Sequence, residues 1–244
     1  IQSSHYYKKN RRRLDSESTD CPSIADWQEN TGAFPTCNML HEVGLHMGGQ
    51  RVGDHRIEHL AQGGFKDVWK VRLEDDTPAE YVLKTSKYDI YFSPRDLDKH
   101  RKDALIMEQT TASPYVLNMY SYCAFSNLVE SAPYTLGVWV DRLQKHTTKS
   151  DELLNLAYQV AQGVADMHLF QNGMATVAHI DIKPSQFLYS PKTKVFKIND
   201  FNRGRLLTSK VPPKICPFTV DTTHNGSTNR APEEYTEDGL QTDK

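Results

Sequence analysis

The chain has 244 residues, 38% of them hydrophobic, and a formal net charge of −2. That length and hydrophobic content suffice for a globular domain with a substantial core. The balanced charge lacks the broad basic footprint of a nucleic-acid-binding protein, so we expect no nucleic-acid partner. No apolar run approaches the roughly 18 residues that a membrane helix needs.

The N-terminal 22 residues are polar, and we predict that residues 1–22 form a disordered tail. They contain a basic cluster at residues 8–13, which is followed by acidic residues. An alternative is that this cluster flanks a membrane anchor upstream of the sequence, or serves as a targeting patch. For residues 23–55 we predict an irregular extension. Within it, His41 and His46 lie five residues apart rather than the four that places two ligands on one helix face, so we predict no metal site.

The four cysteines lack the close paired spacing of a zinc site. Two interpretations remain open. In the first, Cys21 and Cys37 form a disulfide across a loop-like stretch. In the second, all four are free thiols in a reducing compartment. The other two cysteines are Cys123 and Cys216.

Short strand-like runs follow the extension. Residues 57–60 and 68–71 predict two strands joined by a turn that contains Gly63. Residues 81–84 predict a third strand. Residues 94–110 predict a helix, because a proline stands near the start and apolar residues recur at helical spacing.

The middle of the chain predicts further strands and two helices. Residues 116–125 and 128–129 are strand-like, and residues 135–142 predict a short helix. A long amphipathic helix is predicted from Ser150 to near Gly173. We expect one apolar face of this helix to be buried: Leu153, Leu154, Ala157, Val160, Ala161, Val164 and Met167.

Three motifs follow this helix. The first is His-Ile-Asp-Ile-Lys-Pro-Ser-Gln, which begins at His179. The second is Asp-Phe-Asn, which begins at Asp200 after the strand-like run 195–198. The third is Ala-Pro-Glu at residues 231–233. In this order and spacing they resemble the catalytic loop, the metal site and the end of the activation segment of eukaryotic-type protein kinases.

The resemblance covers about residues 56–235 and implies an α+β, two-lobed protein-kinase-like fold. It implies an N-terminal lobe at residues 56–130 and a C-terminal lobe at residues 131–244. We expect the second lobe to be truncated, since a kinase lobe of this kind normally continues with several more helices.

The resemblance also implies roles in catalysis. Asp181 matches the base that orients the substrate hydroxyl, and Lys183 would neutralise charge on the transferred phosphoryl group. Asp200 matches the main Mg²⁺ ligand, and Gln186 stands where the family has an asparagine that holds a second ion. Lys183 followed by Pro184 is more typical of the serine/threonine branch than of the tyrosine branch.

A nucleotide site is implied in the predicted N-terminal lobe. Gly63 matches one of the three glycines that cover the phosphates, while Ala61 and Lys66 replace the other two. Lys84 matches the strand lysine that pairs the α- and β-phosphates. In the family a glutamate on the following helix pairs with this lysine, and Asp103 is the best match to that glutamate.

The predicted hinge between the lobes includes Glu130 and Ala132, whose backbone groups would bind an adenine ring. The resemblance thus implies ATP and Mg²⁺ as cofactors and a protein as substrate. We expect the compartment to be the cytoplasm, or the lumen of the secretory pathway if an N-terminal anchor precedes the sequence.

We therefore predict an ATP- and Mg²⁺-dependent protein kinase acting on serine or threonine hydroxyl groups. The alternative class is a pseudokinase, a nucleotide-binding or scaffold module, which the incomplete glycine turn, Asp103 and Gln186 favour. Ile180 favours it too, because it replaces the arginine that commonly binds an activation-segment phosphate. A small-molecule phosphotransferase is a further alternative, which the Lys183–Pro184 pair and the Ala-Pro-Glu motif disfavour.

Overall fold

The structure is a computed structural model. It describes residues 21–29, 55–63, 66–73, 79–87, 93–144, 150–220 and 240–241. The predicted tail before Cys21, most of the predicted extension and the Ala-Pro-Glu motif lie outside the described residues. No helix in the described ranges has both the length and the apolar character to cross a membrane.

The strands and helices predicted from the sequence are present, and the structure adds six short strands that were not predicted. The strands are β1 (His55–Gln62), β2 (Lys66–Leu73), β3 (Ala79–Ser86), β4 (Met119–Cys123), β5 (Ser126–Glu130), β6 (Tyr134–Thr135), β7 (Val177–Ala178), β8 (Phe187–Ser190), β9 (Val195–Ile198), β10 (Arg205–Leu206), β11 (Phe218–Thr219) and β12 (Leu240–Gln241). The six that were not predicted are β6, β7, β8, β10, β11 and β12. The helices are α1 (Pro94–Gln109), α2 (Leu136–Gln144) and α3 (Ser150–Leu169). Short 3-10 helices are found at Asp26–Gln28, Pro184–Gln186 and Phe201–Arg203.

The chain divides into two compact units, residues 30–205 and residues 1–29 together with 206–244. In the larger unit, five antiparallel strands form a sheet in the order β1-β2-β3-β5-β4. One face of the sheet carries an apolar cluster of Val71, Leu83 and Leu128. Because side chains alternate across a strand, Lys84 lies on the opposite face. A second, three-stranded sheet has the order β6-β8-β9.

Helix α1 begins at a capping box. The Ser93 hydroxyl accepts from the Asp96 amide and the Asp96 carboxylate accepts from the Ser93 amide, both at 3.3 Å, and Pro94 occupies the first turn. Residues 103–107 are buried, so the C-terminal half of α1 is enclosed by protein on all sides. The helix that the sequence predicts at residues 94–110 is confirmed, and it ends at Gln109.

Helix α3 is also confirmed, but of its predicted buried face only Met167 is fully buried. The contact face is a narrow stripe at Gln159, Gly163 and Met167. The Gln159 side chain accepts a hydrogen bond from Phe196 N at 2.8 Å, and the absence of a side chain at Gly163 leaves room for Tyr115 O. By contrast, four residues of the predicted face are exposed: Leu153, Leu154, Ala157 and Ala161. The helix packs on β9 through small and polar residues, which a hydrophobicity pattern does not identify.

The smaller unit is held together by a disulfide and by one glutamine side chain. Cys21 is bonded to Cys216, 195 residues later. The Gln28 amide oxygen accepts from the backbone amides of Ile24 at 2.7 Å and Ala25 at 2.9 Å, and its nitrogen donates to Leu207 O at 2.8 Å. Residues 21–28 are thereby fastened to residues 207–216 within this unit.

This arrangement corrects both interpretations of the cysteines. The predicted pair of Cys21 with Cys37 is wrong, because the fold brings Cys216 to Cys21 instead. The alternative of four free thiols is wrong as well, since Cys123 is also disulfide-bonded and none of the cysteines in the described residues is free. Sequence spacing does not reveal a pair that is distant along the chain.

Removing the disulfide should loosen the smaller unit. We expect a Cys21→Ser/Cys216→Ser double variant to lose about 2–4 kcal/mol of stability, because the closed loop is long and its opening enlarges the unfolded ensemble. Urea unfolding measures the loss, and hydrogen exchange locates it at the amides of Ser209 and Cys216. The wild type without reducing agent is the control. Unchanged exchange at both amides would show that the noncovalent contacts, those of Gln28 and the hydrogen bond from Ser209 N to Pro22 O, suffice.

Acidification should destabilise the fold through His100. Burial first, and then Lys66, lowers the pKa of His100 from 6.5 to about 4. His100 therefore binds a proton near pH 6.5 in the unfolded chain but only near pH 4 in the folded chain. The free energy of unfolding consequently decreases as the pH falls from about 6.5 to about 4. We expect His100→Gln to reduce the slope of the free energy of unfolding against pH in this window, by up to about 1.4 kcal/mol per pH unit. Urea unfolding at each pH measures the free energy.

The wild type, measured at the same series of pH values, is the control for this experiment. Equal slopes for the wild type and His100→Gln would contradict the assignment of a suppressed protonation at His100.

Candidate active site

Four elements of the larger unit meet at Asp103. This carboxylate, on α1, is 0% exposed. Its Oδ1 accepts from Phe201 N at 2.8 Å, and its Oδ2 accepts from Lys66 Nζ at 2.7 Å and Asn127 Nδ2 at 3.3 Å. Burial alone would raise the pKa of Asp103, but the ammonium groups of Lys66 and Lys84 outweigh it and lower the pKa to about 2. The helix acid predicted from the sequence therefore faces the other candidate residues as an anion.

Lys84 occupies the face of β3 that the sequence predicts, but its partner is different. Its Nζ donates to Asn199 Oδ1 at 3.0 Å. Among the described residues it forms no salt bridge, since the Asp103 carboxylate is taken by Lys66. Burial lowers the pKa of Lys84, and Asp103 only partly offsets this effect. Lys84 is thus a nearly enclosed cation with a neutral hydrogen-bond acceptor.

Asn199 connects the strand lysine to the catalytic loop. Its amide nitrogen donates to Gln186 O at 3.0 Å, and its backbone N–H donates to the same oxygen at 2.9 Å. The carbonyl of Asn199 accepts from His179 Nε2 at 3.0 Å. His179 Nδ1 in turn accepts from Asp181 N, and burial lowers the pKa of His179, which suits a neutral ring with one donor and one acceptor. The catalytic loop is therefore locked to the end of β9.

The carboxylate of Asp181 is surrounded by donors. Gln186 Nε2 lies 2.8 Å and Lys183 Nζ 2.7 Å from its Oδ2, and Arg203 lies 3.9 Å from its Oδ1. Partial burial would raise the pKa of Asp181, but the hydrogen bonds from Lys183 and Gln186 lower it below the ordinary aspartate range. Asp181 is consequently ionised at neutral pH.

Asp200 lies two residues after the end of β9 in a left-handed backbone conformation, with φ 64° and ψ 63°. This region is uncommon outside glycine, and such residues cluster at functional sites. Gln186 Nε2, which binds Asp181, also lies 3.4 Å from Asp200 Oδ2. Phe201 follows fully buried, with its ring centroid 5.1 Å from that of His179. Asp181, Lys183, Gln186 and Asp200 are therefore brought together.

The donor set at this point suits Mg²⁺ held jointly with a phosphate. Mg²⁺ prefers oxygen ligands and usually takes one or two carboxylates together with substrate phosphates and waters. Asp200 offers a carboxylate, and Gln186 offers an amide oxygen once its side-chain amide turns over. The described residues contain no group of three or more histidine, cysteine or acidic side chains placed to bind a metal.

The remaining predicted residues, Gly63, Ala132 and Glu130, make fewer contacts with the candidate site. Gly63 N donates to Lys66 O at 2.8 Å and closes the turn after β1. A Cβ at Gly63 would lie 3.5 Å from that oxygen, an ordinary contact, so the turn alone does not require glycine. Ala132 is buried after β5. Its role in binding adenine stays a prediction, as does that of Glu130.

Glu130 has a structural partner that the sequence did not predict. Both of its carboxylate oxygens lie 2.9 Å from Lys197 Nζ, and Asn118 Nδ2 donates to it at 3.0 Å. Its backbone amide donates to Asn118 O. The side chain of Glu130 thus fastens β5 to β9 through a buried ion pair, and only backbone atoms of this residue remain as candidates for binding adenine.

Sequence reasoning missed Lys66 and Asn199 as site residues. Lys66 was recognised only as a departure from glycine, and its position in that turn was the one available signal. Asn199 had the weak signal of standing next to Asp200. The sequence spacing could not predict the pairing of Lys66 with Asp103, 37 residues later, or of Asn199 with Lys84, 115 residues earlier.

Comparison with known proteins agrees with this geometry. No curated protein sequence matches the chain. A family model described as the protein kinase domain matches residues 55–241, which include every described residue of the site. The α+β kinase fold that the three motifs predict is thereby confirmed. Since the match extends over most of its length, the chain belongs to the protein kinase domain family.

Proposed function

We propose that the chain is an ATP- and Mg²⁺-dependent protein kinase that phosphorylates serine or threonine hydroxyl groups. The observation that carries this proposal is the position of the Gln186 amide, which is 2.8 Å from Asp181 and 3.4 Å from Asp200. The candidate base and the candidate metal ligand are thus neighbours across one side chain. Transfer of a phosphoryl group from ATP to a hydroxyl requires such a base and such a metal ligand near one another.

Asp181 would orient the attacking hydroxyl. Because it is ionised, its carboxylate would accept a hydrogen bond from the hydroxyl and receive its proton. As the new oxygen–phosphorus bond forms, the bond from the γ-phosphorus of ATP to the β–γ bridging oxygen breaks and ADP leaves. Lys183, already 2.7 Å from Asp181, would donate to oxygens of the transferred phosphoryl group. Phosphoryl transfer depends on positioning and charge stabilisation more than on a strong base, which suits a carboxylate of low pKa.

Asp200 and Gln186 would hold Mg²⁺. Asp200 has a left-handed backbone directly after the strand β9 and Asn199. To bind the ion, Gln186 would lose its hydrogen bond with Asp200, which is long at 3.4 Å. When bound, Mg²⁺ would neutralise charge on the phosphate groups. His179 and Asn199 keep both ligands in place by joining the catalytic loop to β9.

The alternative is a pseudokinase that binds nucleotide or partners without phosphoryl transfer. Two observations favour it. Lys84 is hydrogen-bonded to Asn199 rather than paired with the helix acid. Ile180, which replaces the catalytic-loop arginine, has φ 64°, an unusual backbone for a β-branched residue. A pseudokinase that binds nucleotide differs from the enzyme only in the absence of phosphoryl transfer, so transfer must be measured as well as binding.

Two substitutions should separate Mg²⁺-dependent ATP binding from phosphoryl transfer. We expect Asp200→Ala to abolish the Mg²⁺-dependent part of the thermal shift produced by ATP. Saturation at a hundred times the dissociation constant adds about 2.7 kcal/mol, which is readily measured. We expect Asp181→Asn to keep that shift and to lower kcat for phosphorylation of serine and threonine peptides by about 10²–10⁴-fold.

Asp151→Asn, on the exposed first turn of α3, is the matched control and should change neither quantity. A Mg²⁺-dependent shift without any phosphoryl transfer by the wild type would favour the pseudokinase. The absence of a shift at millimolar ATP would overturn the proposed enzyme.

We further propose that the protein works in an oxidising compartment. Disulfides persist in secretory and extracellular environments and are rare in the cytosol, and the described cysteines are all in disulfides. We expect protein made in an oxidising compartment to contain the Cys21–Cys216 bond, detectable by peptide mapping without reductant. Full activity of cytosolic protein with free Cys21 and Cys216 would contradict this assignment.

A further inference from the structure

Two lysines, rather than one, face α1 from the central strands of the sheet. Val68 lies opposite Lys84 and Lys66 lies opposite Ser86 in the β2–β3 register. Residues two apart on a strand share a face, so the ammonium groups of Lys66 and Lys84 project from the same side as diagonal neighbours. Both side chains are nearly enclosed by protein.

Asp103 pairs with Lys66 and not with Lys84. Aspartate is one methylene shorter than the glutamate of the family, and its Oδ2 meets Lys66 Nζ at 2.7 Å. The other oxygen is held by Phe201 N at 2.8 Å, which fixes the orientation of the carboxylate. A buried ion pair is costly to break, because either partner alone would be an uncompensated charge. The position of the Lys66 ammonium is therefore well defined.

Lys66 also belongs to the turn after β1. Gly63 N donates to the carbonyl of Lys66, so the lysine closes the turn that the family places over the nucleotide phosphates. An ammonium has three donors. One is used by Asp103, and two remain for another acceptor. The location and the donors both suit an anion.

The local charge balance calls for the same ligand. Lys66 and Lys84 are close enough for Lys66 to lower the pKa of Lys84, and Asp103 is the single carboxylate bonded to either of them among the described residues. Asn199, which accepts from Lys84, is neutral. Asp200 also acts on Lys84 and raises its pKa, but it is bonded to neither lysine, so both ammonium groups keep donors for an anion such as a polyphosphate.

We infer that Lys66 is a second phosphate-binding lysine, positioned by Asp103, which binds the polyphosphate of the nucleotide together with Lys84. The inference rests on the proposed function, since it concerns the same nucleotide site. It assigns a binding contact to a residue that replaces one of the family's glycines.

A double-mutant cycle distinguishes phosphate binding by Lys66 from a purely structural pairing with Asp103. It compares the wild type, Lys66→Met, Asp103→Asn and Asp103→Asn/Lys66→Met for ATP and adenosine affinity by calorimetry. Because Asp103→Asn already removes the ion pair, any further loss on removing Lys66 reports its contact with the ligand. We expect ATP to bind about tenfold or more weakly to the double variant, and adenosine to bind equally to both.

Two further variants protect the experiment against misfolding. Lys66→Arg keeps the charge and the ion pair, and should bind ATP more tightly than Lys66→Met does. Lys70→Met removes another lysine of β2, whose partner is Glu80 at 3.0 Å, and should leave ATP affinity unchanged. Circular dichroism at each step identifies any variant that fails to fold.

Each outcome decides one question. Equal ATP affinity of Asp103→Asn and Asp103→Asn/Lys66→Met would overturn the inference and make Lys66 a structural partner of Asp103. Equal ATP affinity of Lys66→Met and the wild type would overturn it as well. If the wild type itself binds no ATP, the proposed function fails and the inference fails with it, a result distinct from the other two.

Discussion

The buried carboxylate of Asp103 is the constraint on which the site depends. It joins α1 to β2 through Lys66, to β5 through Asn127 and to the backbone of Phe201 after β9. An anion with no solvent exposure is tolerated only where donors surround it. Any displacement of these elements would leave a buried charge with fewer donors, so the carboxylate holds the helix, the sheet and the Asp200 segment in one arrangement.

A second polar network holds the candidate catalytic residues. His179, Asn199 and Gln186 exchange hydrogen bonds between residues 179–186 and the segment after β9, and these bonds fix the positions of Asp181 and Asp200. Polar networks of this kind give well-defined geometry when every member is satisfied. Two departures from the kinase pattern compensate for each other. Asp103 is shorter than the usual glutamate, and Lys66, which replaces a glycine, lies close enough to form an ion pair with it.

The segment after β10 is organised by a covalent bond. Residues 207–216 are fastened to the Cys21 segment by a disulfide and by Gln28. In the family, an arginine of the catalytic loop commonly binds a phosphate on the activation segment, and this chain has Ile180 at that position. The Cys21–Cys216 disulfide restrains residues 207–216 covalently, and this restraint does not require phosphorylation.

The sequence by itself determined the family, the order of the elements and the residues of the catalytic loop, because these depend on local periodicity and on motifs at fixed spacing. Asp181, Lys183, Gln186 and Asp200 lie together as that spacing predicts. Only the tertiary structure decided which partners each charged or reactive side chain has. Lys66 rather than Lys84 pairs with Asp103, Cys216 rather than Cys37 pairs with Cys21, and Gln159 rather than Leu153 faces β9. These choices depend on distances between residues that are remote in sequence and on a single methylene of side-chain length, which no local pattern encodes.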